Sequence, residues 1–286
     1  MRHISKGLSV LSGWFLLGGA LTAPGVAEPP VDATPASAHE ILETAFTTRY
    51  ELDIIATVEL VMRNRAGHEQ TRTFHVVSKI SDDRLRGIAR LTEPPYLRGM
   101  TFMTLEADNR RNDTFVYLPS VGRTRRISTS KRGDAFLGSD LTYEDFERQH
   151  VENYDLELRP AEMLGSEAVY VVRGAPRHRL NYHHVDFVVA RSDHAILETR
   201  YYKLGAEKPY RIMVAPRESM TYAPGHVLPT RLEVANLQRG TTTDVVFHDL
   251  EINPPIKDTL FSVRTLEQKR DLPEVENGDP GELGER

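Results

Sequence analysis

The 286-residue chain contains no cysteine. That excludes a disulfide framework, a thiol nucleophile, a Cys-based metal site and a cysteine for lipid attachment. A fold without such staples rests on an ordinary core, and a hydrophobic content of 40% is enough to build one. Positive charge is not in excess either. The formal net charge of -5 argues against a general nucleic-acid binder and leaves room only for a local basic patch. Past Thr22 no apolar run approaches the roughly 20 residues that a spanning helix needs. The metalloprotease pattern H-E-x-x-H, the nucleophile elbow G-x-S-x-G and the calcium-loop spacing of alternate acids before a glycine are all missing. The chain is therefore read as a non-enzyme, with no metal and no cofactor.

What is present begins with a basic start, Arg2, His3 and Lys6, followed by the apolar run "LSVLSGWFLLGGALT" over residues 8–22. Gly25 and Ala27 occupy the small-residue positions of a cleavage site, so residues 1–27 read as a secretory signal peptide cut after Ala27. The competing reading is an N-terminal membrane anchor, for which the run is short. Residues 28–38, rich in Pro and Ala, read as a flexible leader. In "SAHEILETAFTTRY" the residues Ile41, Leu42, Ala45 and Phe46 recur at helical spacing, with Ser37 placed as N-cap.

From there the period changes to two. "DIIATVELVMRN" and "QTRTFHVVSKI" flank the turn "RAGHE", and similar runs continue to "TTTDVVFHDLEI" at roughly 8–12 residue intervals. No linker divides them, so residues 39–268 read as one mainly β domain, an antiparallel sheet or barrel. A sheet of that length has to manage its edges, and the helix near residues 39–48 is a natural cover. A curled sheet under such a lid encloses a cavity. Several strands, "FVYL" and "AVYVV" among them, are apolar on both faces, which means burial on both sides. The acidic end, residues 269–286, reads as a disordered tail.

Residues 95–147 carry a likeness. The elements "LRGMTF", "FVYLPSVGRTRRIS" and "FLGSDLTYEDF", together with "NPPIKDTLFSVRTL" at residues 253–266, resemble the periplasmic LolA-like outer-membrane lipoprotein-sorting proteins. The resemblance implies a half-open antiparallel β-barrel of the LolA/LolB kind, with an N-terminal helix and short helical lid elements. It implies a periplasmic carrier that shelters acyl chains of lipids or lipoproteins in an apolar cavity. It also implies an RND-type (MMPL) inner-membrane transporter as partner.

Three groups of residues are candidates for function. The first is the stretch "GDAFLGSDLTYEDFE", residues 133–147, with five carboxylates. Asp140 and Glu144 stand four apart, a spacing that would put an acid–base pair on one helical face. Turn chemistry competes with that reading. Thr142 with Asp145 resembles a capping box, Asp140 is a second cap for the same turn, and Gly138 allows a turn. Gly138, Ser139, Asp140, Thr142, Tyr143 and Asp145 are thus read as a structural or gating motif. The second group is basic. Arg123 and Arg125 share one strand face and Arg126 the other, a surface for docking a headgroup or an acidic partner, or simply edge-protecting charge. The third is apolar. Met100, Phe102, Phe115, Tyr117 and Phe136 are candidates to line a lipid cavity, against the alternative of ordinary core. His183 and His184, neighbours in a strand pattern, face opposite ways and do not chelate together.

The function expected on these grounds is a periplasmic lipid or lipoprotein carrier. The alternatives are an assembly factor for an envelope transporter and, third, a hydrolase using Asp140 and Glu144.

Overall fold

The computed structural model describes residues 36–107, 111–267 and 272–273. The expected signal peptide, all of the leader before residue 36 and nearly all of the acidic tail lie outside these residues.

Helix α1 (Ala38–Tyr50) starts where its cap chemistry dictates. The Ser37 hydroxyl accepts the Glu40 N–H at 3.2 Å, and the Glu40 carboxylate accepts the Ser37 N–H at 2.8 Å. Ile41, Leu42, Ala45 and Phe46 form its buried stripe.

The strands follow in chain order. They are β1 (Ile54–Arg63), β2 (Glu69–Ser81), β3 (Arg84–Glu93), β4 (Thr101–Glu106), β5 (Asn112–Leu118), β6 (Arg123–Arg126), β7 (Tyr154–Leu158) and β8 (Glu162–Leu164). Then come β9 (Glu167–Pro176), β10 (His184–Ala190), β11 (Ile196–Tyr202), β12 (Arg211–Val214), β13 (Met220–Ala223), β14 (His226–Pro229), β15 (Arg231–Asn236) and β16 (Thr241–Ile252), before a short helix α2 (Val263–Glu267). All but β13 and β14 belong to one sheet, in the order β6-β5-β4-β3-β2-β1-β16-β15-β12-β11-β10-β9-β7, with β8 also on β9. Every pairing is antiparallel, and β13 and β14 form a separate ribbon. The two edges, β6 and β7, do not pair, so the chain is mainly β with a large curled sheet that stays open.

The sheet is buried on both faces, and alternation sorts its residues between them. In the first half Leu60, Phe74, Leu91, Phe102 and Val116 face inward and join Phe136 in one core. On the same strands Val77, Ile88, Met103, Phe115 and Tyr117, at the opposite parity, face outward. There they pack under Ile256, Phe261 and Leu266 of the C-terminal segment. Leu272 joins that outer cluster and is 5% exposed, so the chain is still packed inside the region read as a tail. In the second half α1 covers Val172, Val185 and Phe187, while Val227 of β14 covers Val171, Val188 and Leu197 on the opposite face. The helix therefore packs on the inner face of the second half, against β7, β9 and β10 and beside β14, and the C-terminal segment covers the outer face of the first half.

Candidate functional site

The inner face does not fill completely. It leaves a cavity of about 300 Å³, lined by apolar residues of strands from both halves of the sheet, among them Val58, Phe74, Ala89, Phe187, Met213 and Val245. Tyr50 and Leu52, at the end of α1 and just after it, close one side. The loop between β6 and β7 closes another through Phe136, Leu141, Tyr143 and Phe146. That loop joins the two unpaired edges of the sheet, so side chains bridge what the backbone ladder leaves open.

Of the five apolar candidates, Phe102 and Phe136 line the cavity. Their ring centroids are 4.7 Å apart, edge to face, and Phe136 also meets Tyr143 and Phe146 at 5.5 and 4.6 Å. Met100 packs against the same inner core. Phe115 and Tyr117 do not reach it. Phe102 pairs with Val116, so the inward residues of β5 are Thr114 and Val116, and Phe115 and Tyr117 turn to the outer cluster.

The loop motif is tied down at two aspartates. Gly138 adopts φ +81°, and the Ser139 hydroxyl donates to the Phe136 carbonyl at 2.7 Å, closing the tight turn. Asp140 is not a second cap for the following turn. Its buried carboxylate accepts from Arg239 Nη2 at 2.5 Å, Thr241 Oγ1 at 2.6 Å and Thr243 Oγ1 at 3.0 Å, which fastens the loop to β16. Asp145 does close the Thr142 turn. Its carboxylate accepts the Thr142 N–H at 2.6 Å and the Thr142 hydroxyl at 2.9 Å. It also takes both guanidinium nitrogens of Arg211 at 2.6 and 3.0 Å. Further along, Arg132 grips Glu147, and His150 Nε2 lies 2.6 Å from Glu106. Burial pushes the Glu106 carboxyl up, but the His150 bond, the Leu85 N–H and Arg148 outweigh it and hold the group below its usual value.

Glu144 is the exception among these acids. It is 6% exposed and lines the cavity, yet its Oε2 meets no donor among the described residues. Burial, with the negative charge of Asp145 beside it, pushes its carboxyl up to about 7, against the weaker pull of Arg211 and Arg132. Thr114 Oγ1, also on the cavity wall, is likewise buried without a partner among the described residues. Sequence reasoning pairs Glu144 with Asp140 as acid and base. In the structure the Asp140 carboxylate is taken up by Arg239, Thr241 and Thr243, and no hydrogen bond joins it to Glu144.

Arg123 and Arg125 pair with Leu118 and Val116, so both sit on the inner side of edge strand β6, exposed and without a partner among the described residues. Arg126, opposite Phe115, lies on the other face and is ion-paired to Asp113. His183 precedes β10 rather than belonging to it, so alternation does not separate it from His184, and their Nδ1 atoms approach to 3.1 Å. Among the described residues no three His, Asp or Glu side chains gather as metal ligands.

The fold has close relatives among solved structures. A domain from Vibrio parahaemolyticus described as outer membrane lipoprotein-sorting superposes with TM-score 0.74 at 21% identity, over 80% of this chain and 97% of that one. A DUF1329 family protein from Desulfovibrio piger gives 0.73 at 21% identity, over 80% and 97%. A LolA superfamily protein from Nitrosomonas europaea gives 0.65 at 20% identity, over 80% and 99%. No curated protein matches the sequence. Residues 83–268, more than half of the chain, match the profile of a family described as uncharacterized protein, so the chain belongs to that family and folds as a LolA-like curled sheet.

Proposed function

We propose that this protein is a passive carrier of a lipid-like molecule, sheltered between the inner face of the curled sheet, α1 and the loop that bridges the sheet edges. The observation that carries the reading is the cavity itself, apolar over most of its wall inside a fold shared with lipoprotein-sorting proteins. A void of about 300 Å³ is at the small end of the ~300–1,000 Å³ range of ligand sites, which suits one slender molecule. Each methylene that leaves water for such a wall contributes about 0.8 kcal/mol. Phe102 and Phe136 are among its aromatic contacts, Met100 supports them from the inner core, and the anchored motif from Gly138 to Asp145 forms its bridging wall. Movement of that wall is the gating step for entry and release.

The N-terminal stretch supports export to the periplasm, and among the described residues no helix is long and apolar enough to cross a membrane. Arg123 and Arg125, without a partner among the described residues and on an edge strand, supply a docking surface for an acidic partner or anionic headgroups. An RND-type transporter as the exchange partner rests on the sequence resemblance.

Native mass spectrometry of protein purified from its own periplasm tests the reading. A carrier retains lipid near one per chain. A dry protein that captures a membrane complex supports the transporter-assembly alternative instead.

A further inference from the structure

The cavity is apolar, but its two unpartnered polar groups are specific in kind. A native interior leaves few buried polar atoms without a partner, because each one costs the hydrogen bond it had in water. Here two of them line the same void, Glu144 Oε2 and Thr114 Oγ1. They are not the debris of a disordered loop. Around Glu144 the other buried acids are paired: Asp140 with Arg239, Asp145 with Arg211, and Glu147 with Arg132. The hydrogen bond from Asn112 Nδ2 to Glu147 Oε2, at 3.2 Å, ties the loop to the start of β5, the strand that carries Thr114. Gln149, Tyr154 and Tyr182 continue the polar wall, with the Tyr154 hydroxyl donating to Gln149 Oε1 at 2.7 Å.

Resting on the carrier reading above, we propose that the cavity takes an uncharged, hydroxyl-bearing amphiphile with its head at the bridging loop, its hydroxyl donating to Glu144 and a second polar contact available at Thr114. A hydroxyl both donates and accepts, which matches a carboxylate acceptor and a threonine hydroxyl. An ammonium head brings three donors to two acceptors and must shed the hydration of its charge to enter an apolar cavity, whereas a hydroxyl brings one donor and no charge. A phosphate head at Glu144 brings negative charge beside Glu144 and Asp145, and Arg211, the cation that pulls most on Glu144, is already engaged with Asp145. Arg49, the cation among the lining residues, lies over the Tyr50 ring at the end of α1, so an anionic head would compete for that end of the wall and not for Glu144. An alkyl tail against Glu144 leaves its oxygen unsatisfied, so the tail runs away from Glu144 along the apolar side chains of the wall.

The test uses the full exported chain, stripped of lipid, and displacement of a neutral apolar fluorophore by 1-decanol, decylamine and decyl phosphate. The expected result is displacement by decanol at roughly tenfold or more lower concentration than by decyl phosphate or decylamine, the scale of one hydrogen bond to a charged or otherwise unsatisfied group. Glu144→Leu reduces that preference to within about threefold, and Thr114→Val reduces it in part, with circular dichroism reporting that each variant folds. Equal displacement by all three heads, or a preference unchanged in both folded variants, overturns the hydroxyl assignment and leaves the carrier reading standing, with water as the partner of Glu144. No binding of the fluorophore or any amphiphile by the folded wild type overturns both.

Discussion

Arg211 and Asp145 meet as a bidentate pair, Nη1 to Oδ2 at 2.6 Å and Nη2 to Oδ1 at 3.0 Å, with side chains 2% and 5% exposed. The guanidinium also lies 3.9 Å from the centroid of the Tyr201 ring and donates to the Asp140 carbonyl at 3.2 Å. One arginine on β12 thus holds both ends of the Asp140–Asp145 segment. Removing one member leaves the other as an uncompensated buried charge, which costs about 3–5 kcal/mol. Arg211→Ala is therefore expected to lower unfolding stability by that amount in urea titration. A loss below about 1 kcal/mol, the range of a surface pair, would refute the anchoring role.

Glu144 makes stability depend on pH in a direction opposite to most acids. Its carboxyl is raised in the fold, from 4.5 to about 7, because burial and Asp145 favour the neutral form. Below pH 4.5 it is protonated in folded and unfolded chains alike and contributes no difference. Between 4.5 and 7 the folded state holds more protons, so stability falls as pH rises, and above 7 the penalty is constant. The full penalty is on the order of 3 kcal/mol. Glu144→Gln, whose amide stands in for the neutral acid, should stabilise the protein by that amount at pH 8 and by little at pH 4. Urea midpoints of wild type and variant at both pH values decide it, because taking their difference cancels the other titrating groups. An equal difference at the two pH values would sink the assignment.

How much of this was legible in the sequence depends on whether the relevant partner was near in the chain. The Ser37 cap, the Thr142–Asp145 turn and the split of Arg123 and Arg125 from Arg126 all rest on residues within a few positions of one another, and each stands in the structure as the spacing predicts. The hollow face did not show. Phe115 and Tyr117 alternate as cavity residues would, but β5 is apolar on both faces, and the parity is set by its pairing with Phe102 of β4. What covers the other face, Ile256, Phe261, Leu266 and Leu272, is more than a hundred residues away in sequence. Asp140 was misread for the same reason, since its partners Arg239, Thr241 and Thr243 lie about a hundred positions downstream. Glu144 is distinguished from Asp140, Asp145 and Glu147 only by having no cation of its own, a property that exists only once the chain has folded.

The edge strand offers a cleaner separation of stability from interaction. Arg123 and Arg125 are exposed and bond to nothing among the described residues, so Arg123→Ala/Arg125→Ala should shift stability by no more than about 0.5 kcal/mol. If they dock anionic surfaces, the double variant should lose most co-sedimentation with vesicles containing phosphatidylglycerol at low salt. Wild-type binding should likewise fall at 0.5 M salt, where the screening length is only a few ångströms. Undiminished binding by the double variant would show that these arginines protect the edge and do not dock.

Gly87 provides the test of the cavity itself. It sits inside β3, pairs with Thr104 across the strand and lines the void, and a Cβ added there would meet nothing within 4 Å. Its φ is not in the left-handed region, so a larger residue is not strained. Gly87→Val removes the entropic cost of a strand glycine, sets its Cβ where nothing lies within 4 Å and turns its side chain to the void. Stability should hold or rise by about 0.5–1 kcal/mol. If the void is where cargo sits, the same variant should carry clearly less lipid when purified from the periplasm, as read by native mass spectrometry. Greater stability together with lost lipid is an outcome that general damage to the fold cannot imitate. Unchanged lipid in the stable variant would move the binding site elsewhere on the molecule.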